Sequence, residues 1–212
     1  DLKELLGKEN QRLPIDDPYP AGSSLGGLLA TNTSGPRRFG WGTLRDYVIG
    51  ISILNDEGIE TKAGGRVVKN VAGYDFCKLH TGALGTLGII SQVTLKVRPN
   101  PEASAFLLLR LNSADVEGVL DRVHNTKTRP VAVELLNKNA LQHPLFKHLA
   151  VTSDYGIFIG FEHSTEAVKW QTETLANELA DVPNSKLEII NAASDSALWQ
   201  ALGEFQAARI SG

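Results

Sequence analysis

The sequence predicts an α+β protein built in two parts, and three observations carry that reading. Glycine is unevenly spread: 15 of the 20 glycines precede residue 100 and five follow it. The string Arg98-Pro99-Asn100-Pro101 marks a boundary, because proline lacks the amide hydrogen that a central strand needs. Beyond it, strand-like and helix-like periods alternate in the order β-α-β, β-α-β.

In the first part, Leu2 to Asn10 reads as a helix that stops before Pro14. Leu25 to Ala30 is long enough for one or two helical turns. Tyr47 to Leu54 is a β-branched run ending in the turn signal Asn55-Asp56-Glu57-Gly58, with Ile59 to Lys62 returning as a second strand. Tyr74 to His80 reads as a short helix, and Ile89 to Val97 alternates as a strand.

In the second part, Ala105 to Leu111 is a strand and Ala114 to Asn125 an amphipathic helix. Val131 to Leu136 is the next strand, followed by an irregular, partly helical insert from Asn137 to His148. Gly156 to Phe161 (strand), Glu166 to Leu179 (helix) and Lys186 to Ile190 (strand) repeat the unit. That order is the split βαβ arrangement of ferredoxin-like domains. Ala197 to Ala208 adds a last helix.

Composition narrows the function classes. Hydrophobic residues make up 42% and charged residues 21%, an ordinary globular balance. A formal net charge of −3 gives no general affinity for nucleic acid or an anionic membrane. The longest apolar runs, such as Phe106 to Leu109, are far shorter than a membrane span. Membrane contact is therefore expected only through partners. One cysteine, Cys77, allows no internal disulfide, and no secretory leader is visible, which points to the cytoplasm. Cys77 itself lies in an apolar helix and reads as a core residue. The chain opens on Asp1 inside a helix-like run and contains no methionine, so a piece of a longer protein is expected.

Four segments carry the chemistry. The first, Pro20 to Gly35, combines paired glycines with hydroxyls, and its backbone can approach an extended ligand closely. Successive N–H groups near Gly26-Gly27 suit a pyrophosphate, and a loop packed on its own core is the alternative. The second, Gly82-Ala-Leu-Gly-Thr-Leu-Gly88, has a dinucleotide-fingerprint look, but it leads into a strand. A Rossmann glycine motif follows a strand and opens a helix, so a nicotinamide site is not expected.

The third segment is Ser34-Gly-Pro-Arg-Arg-Phe-Gly-Trp-Gly-Thr-Leu-Arg-Asp46. Arg37 and Arg38 could face an anionic ligand or lie in a solvated loop, whereas Arg45 and Asp46 read as an ion pair or cap. In the fourth, Gly64 to Asp75, the polar residues Lys69, Asn70, Tyr74 and Asp75 crowd between apolar neighbours. They would serve a ligand or lock the loop. The histidines His124, His143, His148 and His163 form no ligand grouping, and no metal site is expected.

Taken together, these strings resemble the vanillyl-alcohol-oxidase (PCMH-type) FAD-binding family, and within it the FAD-binding E subunits of glycolate oxidases. The residues that carry the resemblance are Leu25-Gly26-Gly27, Ser34-Gly-Pro-Arg-Arg38, Leu44-Arg-Asp46, Gly65 to Asp75 and Gly82 to Gly88. The resemblance is strong over about residues 10 to 100 and loose beyond. It implies a partial PCMH-type FAD-binding domain over 1–100, lacking its N-terminal phosphate loop. A ferredoxin-like cap or substrate domain, incomplete, would occupy 101–212.

The resemblance also implies an extended FAD. Ser24, Leu25, Gly26 and Gly27, then Ala30, Thr31, Asn32, Ser34 and Gly35, would lie along its pyrophosphate and flavin-proximal part. Gly85, Thr86, Gly88, Ile89 and Ile90 would add backbone contacts. The activity implied is oxidation of glycolate, a 2-hydroxy acid, to glyoxylate within a heteromeric complex that includes an iron–sulfur subunit. Such a complex would be cytoplasmic, with peripheral attachment at the inner membrane through partners. No residue is assigned as a catalytic base. A non-catalytic FAD-holding or scaffolding subunit, or another FAD-linked oxidase of the same fold, is the alternative.

Overall fold

The computed structural model describes residues 1–67, 74–149, 152–183, 185–191 and 196–207. The chain divides into two compact units, Asp1–Asn100 and Pro101–Gly212.

The first unit opens with α1 (Leu2–Lys8), whose first turn is capped by the Asp1 carboxylate on the Lys3 N–H. A two-residue strand β1 (Gln11–Arg12) follows, then α2 (Leu25–Thr31), the one-turn α3 (Arg38–Trp41) and a 3-10 turn at Leu44–Asp46. Strand β2 (Val48–Leu54) turns through Asn55, whose Oδ1 accepts the N–H groups of Glu57 and Ile59, into β3 (Glu60–Gly64). Helix α4 (Phe76–His80) precedes β4 (Ile89–Leu95), and β5 (Arg98–Pro99) closes the unit.

The main sheet is antiparallel in the order β3-β2-β4, with Ile51 opposite both Ala63 and Val93. One face packs Leu29, Leu44, Val48, Ile51, Ile53 and Cys77 into a core. Cys77 is thus the core residue its apolar helix suggested. The Arg98-Pro99 string does not continue β4 but pairs with Gln11-Arg12 as a separate two-stranded ladder. A proline is tolerated there because the ladder is all edge. Arg98 also lies over the Trp41 ring, 4.4 Å from its centre, and donates to the Tyr47 hydroxyl at 3.3 Å.

The second unit runs β6 (Ala103–Leu111), α5 (Val116–His124), β7 (Ala132–Asn137), α6 (Lys138–Leu141) and a 3-10 stretch at Pro144–Leu149. It continues with β8 (Tyr155–His163), α7 (Thr165–Glu178), β9 (Lys186–Asn191) and α8 (Ala197–Phe205). The sheet is antiparallel in the order β7-β8-β6-β9, which is the ferredoxin-like order that two split βαβ units produce. Alternate residues Leu107, Leu109, Ile157 and Ile159 face α5 and α7 through Val119, Val123, Val168 and Leu175.

The opposite face is covered too. Phe106 meets Trp199 of α8 with ring centres 4.3 Å apart, and Phe158 meets Phe146. Burial on both faces explains why Phe106 to Leu109 is an unbroken apolar run rather than an alternating one. A Cβ on Gly160 would come within 2.6 Å of the Trp199 indole, so glycine is what lets that ring lie on the strand. The indole N–H donates to Ser104 Oγ at 2.8 Å, which pairs its one buried polar atom.

Candidate functional site

The glycine-rich segment around residues 20–35 folds around α2. Ser24 is extended and its Oγ accepts the Gly27 N–H at 3.1 Å, an N-cap that starts the helix at Leu25. Asn32 stops it, adopting φ 50°, ψ 40°, a left-handed conformation that asparagine tolerates. Its Oδ1 accepts the Arg45 N–H at 3.0 Å and so ties the helix end to the next turn. Leu29 is buried in the core, whereas Ser24, Gly26, Gly27 and Thr31 are exposed.

Gly26 and Gly27 sit inside a helix, where each costs roughly 1 kcal/mol relative to alanine. A Cβ at Gly26 would meet nothing nearer than Ser24 Oγ at 4.0 Å. Packing among the described residues does not require that glycine. A bare backbone at an exposed helix turn suits close approach by a ligand from outside.

The second glycine-rich stretch lies against this helix. Gly82 N–H donates to the Leu29 carbonyl and Leu84 N–H to the Ala30 carbonyl, each at 2.8 Å. The two stretches, distant in sequence, therefore lie side by side. Gly82, Leu84 and Gly85 all have positive φ, at 87°, 54° and 76°. Thr86 folds back on the loop, its hydroxyl donating to the Ala83 carbonyl at 2.7 Å. Gly88 leads directly into β4, a strand and not a helix, as the sequence requires for a site that is not of Rossmann type.

Of the residues expected to meet a cofactor, Leu25, Gly26, Gly27, Ala30 and Thr31 lie on α2, with Ser24 and Asn32 as its caps. Gly85 and Thr86 lie in the adjoining loop, and Gly88, Ile89 and Ile90 at the start of β4. Ile89 is 70% exposed, while Ile90 turns its side chain toward the core, leaving only backbone for a ligand. Gly35 is buried, and its missing side chain serves Asp16: a Cβ there would come within 2.5 Å of the Asp16 Cβ.

The following arginines separate. Arg37 is neither a ligand arm nor solvated. It is buried, with its N–H on Asp16 Oδ2 at 2.8 Å and its guanidinium on Oδ1. Arg38 is exposed. Asp46 acts as a cap, accepting the Thr43 N–H at 2.8 Å, and Arg45 is exposed. Tyr74, expected among dense and partnered polar groups, is 89% exposed and touches Phe76 edge-on. Asp75 caps α4 through the Lys78 N–H. Lys69 and Asn70 lie outside the described residues.

Titration is shifted at Cys77 and at His80. Burial, followed by the charge of Asp75, pushes the Cys77 thiol up, and burial pushes the His80 imidazole down. The Cys77 thiol faces the Ala63 carbonyl at 3.8 Å, and the His80 carbonyl accepts the Ala83 N–H of the glycine loop at 3.3 Å. Among the described residues, no cluster of three or more His, Cys, Asp or Glu side chains could hold a metal ion. No helix among them is long and apolar enough to cross a membrane. The residue that sequence reasoning passed over is Leu84, because a leucine between glycines gives no sign of a left-handed backbone.

No family model matches the chain. Glycolate oxidase subunit GlcE of Escherichia coli (strain K12) is 39% identical over 107 residues, covering 50% of this chain and 31% of that protein. Glycolate oxidase subunit GlcD of Bacillus subtilis (strain 168) is 31% identical over 179 residues, covering 84% of this chain and 36% of that protein. The chain thus spans about a third of the length of these relatives. Among solved structures, an alkyldihydroxyacetonephosphate synthase superposes with a TM-score of 0.72 at 20% identity, covering 96% of this chain and 40% of that one. That likeness extends through both units and shows the fold. With the glycine strings placed as above, the chain is similar in sequence to glycolate oxidase subunits and shares the fold of an alkyldihydroxyacetonephosphate synthase.

Proposed function

We propose that this chain holds FAD as a part of a glycolate-oxidase-type flavoprotein that oxidises a 2-hydroxy acid, with the E-subunit role as its specific place. The observation that carries the reading is the pair of hydrogen bonds from Gly82 and Leu84 to Leu29 and Ala30. They hold the two glycine-rich stretches side by side, with Gly26, Gly27, Gly82 and Gly85 exposed. The relatives' names, both glycolate oxidase subunits, supply the substrate class. Residues 1–100 are the cofactor-binding domain in this reading, and residues 101–212 the cap.

Bound FAD supplies the acceptor for two electrons from the substrate's α-carbon. The chain's own contribution is placement. Ser24 fixes where α2 begins, and Asn32 fixes where it ends. With the Gly27 N–H held by Ser24, the bare turn would bring a phosphate-bearing ligand close to the Leu25 and Gly26 main chain. Partners are expected to be the other subunits of the complex, an iron–sulfur subunit included. The cytoplasm is the expected compartment.

The test is flavin retention and reduction by the full-length protein. We expect flavin absorbance on purification and a higher melting temperature on adding FAD. Gly26→Leu should fold normally, since no atom of the described residues stands where its Cβ would go, yet lose flavin. No flavin and no thermal response in the wild type would end the cofactor reading. Flavin reduced by glycolate only after partner subunits are added would replace a catalytic subunit with a cofactor-holding one.

A further inference from the structure

We propose that the groove between α5 and the edge strand β7 binds an extended segment of a partner protein, one that alternates basic and apolar side chains on one face. The groove lies within the second unit, and the proposal stands independently of the FAD reading.

Strand β7 is the outer strand of its sheet and, among the described residues, pairs with β8 alone. Alternate residues of such an edge turn both backbone groups outward, where another strand can pair with them. Exposed edges are commonly blunted by lysine, proline or a bulge. β7 reads Ala-Val-Glu-Leu-Leu-Asn, without lysine or proline, and its register against β8 is unbroken through all six residues.

The side chains beside that edge are apolar and incompletely covered. Leu135 lies on the same face of the sheet as Val133 and its cross-strand partner Ile157, the face that packs the core under α5 and α7. It is nevertheless 38% exposed. Between it and α5 lies a cavity of about 440 Å³, floored by Leu135, Tyr155, Val116 and Leu120. The last three are partly buried against that same core, so the floor continues it outward. An open strand edge beside an apolar slot under a helix is how domains add a partner's strand and seat its alternate side chains.

Charge selects the partner. Glu117 and Asp121 line the cavity from α5, four residues apart and hence neighbours on the helix surface. Asp154 adds a third carboxylate, its Oδ2 3.5 Å from the hydroxyl of Ser113 at the cavity wall. None of the three has an ion-pair partner among the described residues; Arg122 and Arg110 are engaged instead by Asp181 and Glu188. Side chains that share a face of an extended strand are two residues apart, about 6.8 Å. The fitting segment is therefore basic-x-apolar-x-basic, its central side chain over Leu135 and Leu120 and its cations toward the three carboxylates.

The experiment uses the full-length protein with the peptide acetyl-Thr-Lys-Thr-Leu-Thr-Lys-Thr-amide and its counterpart with glutamate at both lysine positions. The lysine peptide should bind and slow hydrogen exchange at the outward-facing amides of β7. The glutamate peptide should bind about tenfold more weakly or worse. Glu117→Lys combined with Asp121→Lys should reverse that preference, and Leu135→Thr should weaken the lysine peptide about tenfold. The two peptides on the wild type decide the matter even if a variant fails to fold. No binding of the lysine peptide, equal affinity for both peptides, or binding that leaves β7 exchange unchanged overturns the proposal. So does protection of the outward β7 amides without peptide: in a monomer the protein's own chain would fill the groove, and in a dimer a second copy would.

Discussion

Asp16 and Arg37 are joined twice in the interior of the first unit, by the Arg37 N–H on Oδ2 at 2.8 Å and by the guanidinium on Oδ1. Gly35 makes the approach possible, since any side chain there would strike the Asp16 Cβ. The pair therefore fixes the loop that leaves Asn32 and carries Ser34, one flank of the proposed cofactor surface. A cation that looks in sequence like a phosphate ligand is instead the internal clamp of that loop.

Asp16→Ala should cost about 3–5 kcal/mol, because it leaves the Arg37 charge buried without this carboxylate. Urea denaturation of the two proteins measures it. Asp16→Ala in an Arg37→Ala background should cost much less, since the charge to be compensated is gone. Additive losses would show that the two residues act independently.

Gly160→Ala should destabilise the second unit by about 1–3 kcal/mol through overpacking, as its Cβ meets the Trp199 and Phe106 rings. The same substitution beside Trp199→Leu should cost less. Chemical denaturation of the four proteins in this cycle measures the coupling, and a Gly160→Ala protein as stable as the wild type would refute the close approach.

Legibility followed how local the physics is. The run Tyr47 to Leu54 announces β2 because β-branched residues suit a pleated strand, and the Asn55 turn announces its partner. The ferredoxin-like order was readable because helix and strand periods differ enough to be told apart over a dozen residues. The β1–β5 ladder was not, since two residues such as Gln11 and Arg12 show no period and their partners lie at the far end of the unit. At the site, the glycine strings signalled exposed backbone. The bonds from Gly82 and Leu84 to α2 could not be foreseen, because main-chain pairing between loops leaves no side-chain signature. Arg37 was misread for a related reason: arginine looks the same before a phosphate and before an aspartate 21 residues away.

Acid should remove one surface contribution. Arg122 holds Asp181 below the usual carboxylate range, first through its hydrogen bonds and then through its charge. The folded value lies below the unfolded one, so the contribution is present at neutral pH and lost as pH falls through the lowered value. Asp181→Asn and the wild type should therefore converge in stability toward low pH. Both groups are exposed, so their difference at neutral pH should also shrink in about 1 M salt, where the screening length is about 3 Å. A difference unchanged by acid and salt would remove the pair as its source.

Cys77 should be a slow thiol. Reaction with an aromatic disulfide reagent needs the thiolate, and burial chiefly, with the Asp75 charge second, raises the thiol above its ordinary value. The side chain is also buried in the core of the first unit. At neutral pH the folded protein should label far more slowly than its denatured form. Asp75→Asn, which retains a capping oxygen for α4, should label faster than the wild type at the same pH because the repelling charge is gone. The same shift has a consequence for stability. The folded state keeps its thiol proton where the unfolded chain has lost it, so stability falls as pH rises from the unfolded value through the raised one. Cys77→Ala should lack that alkaline decline, whatever it costs in packing at neutral pH. Rapid stoichiometric labelling of the native wild type at neutral pH would place the thiol outside the core.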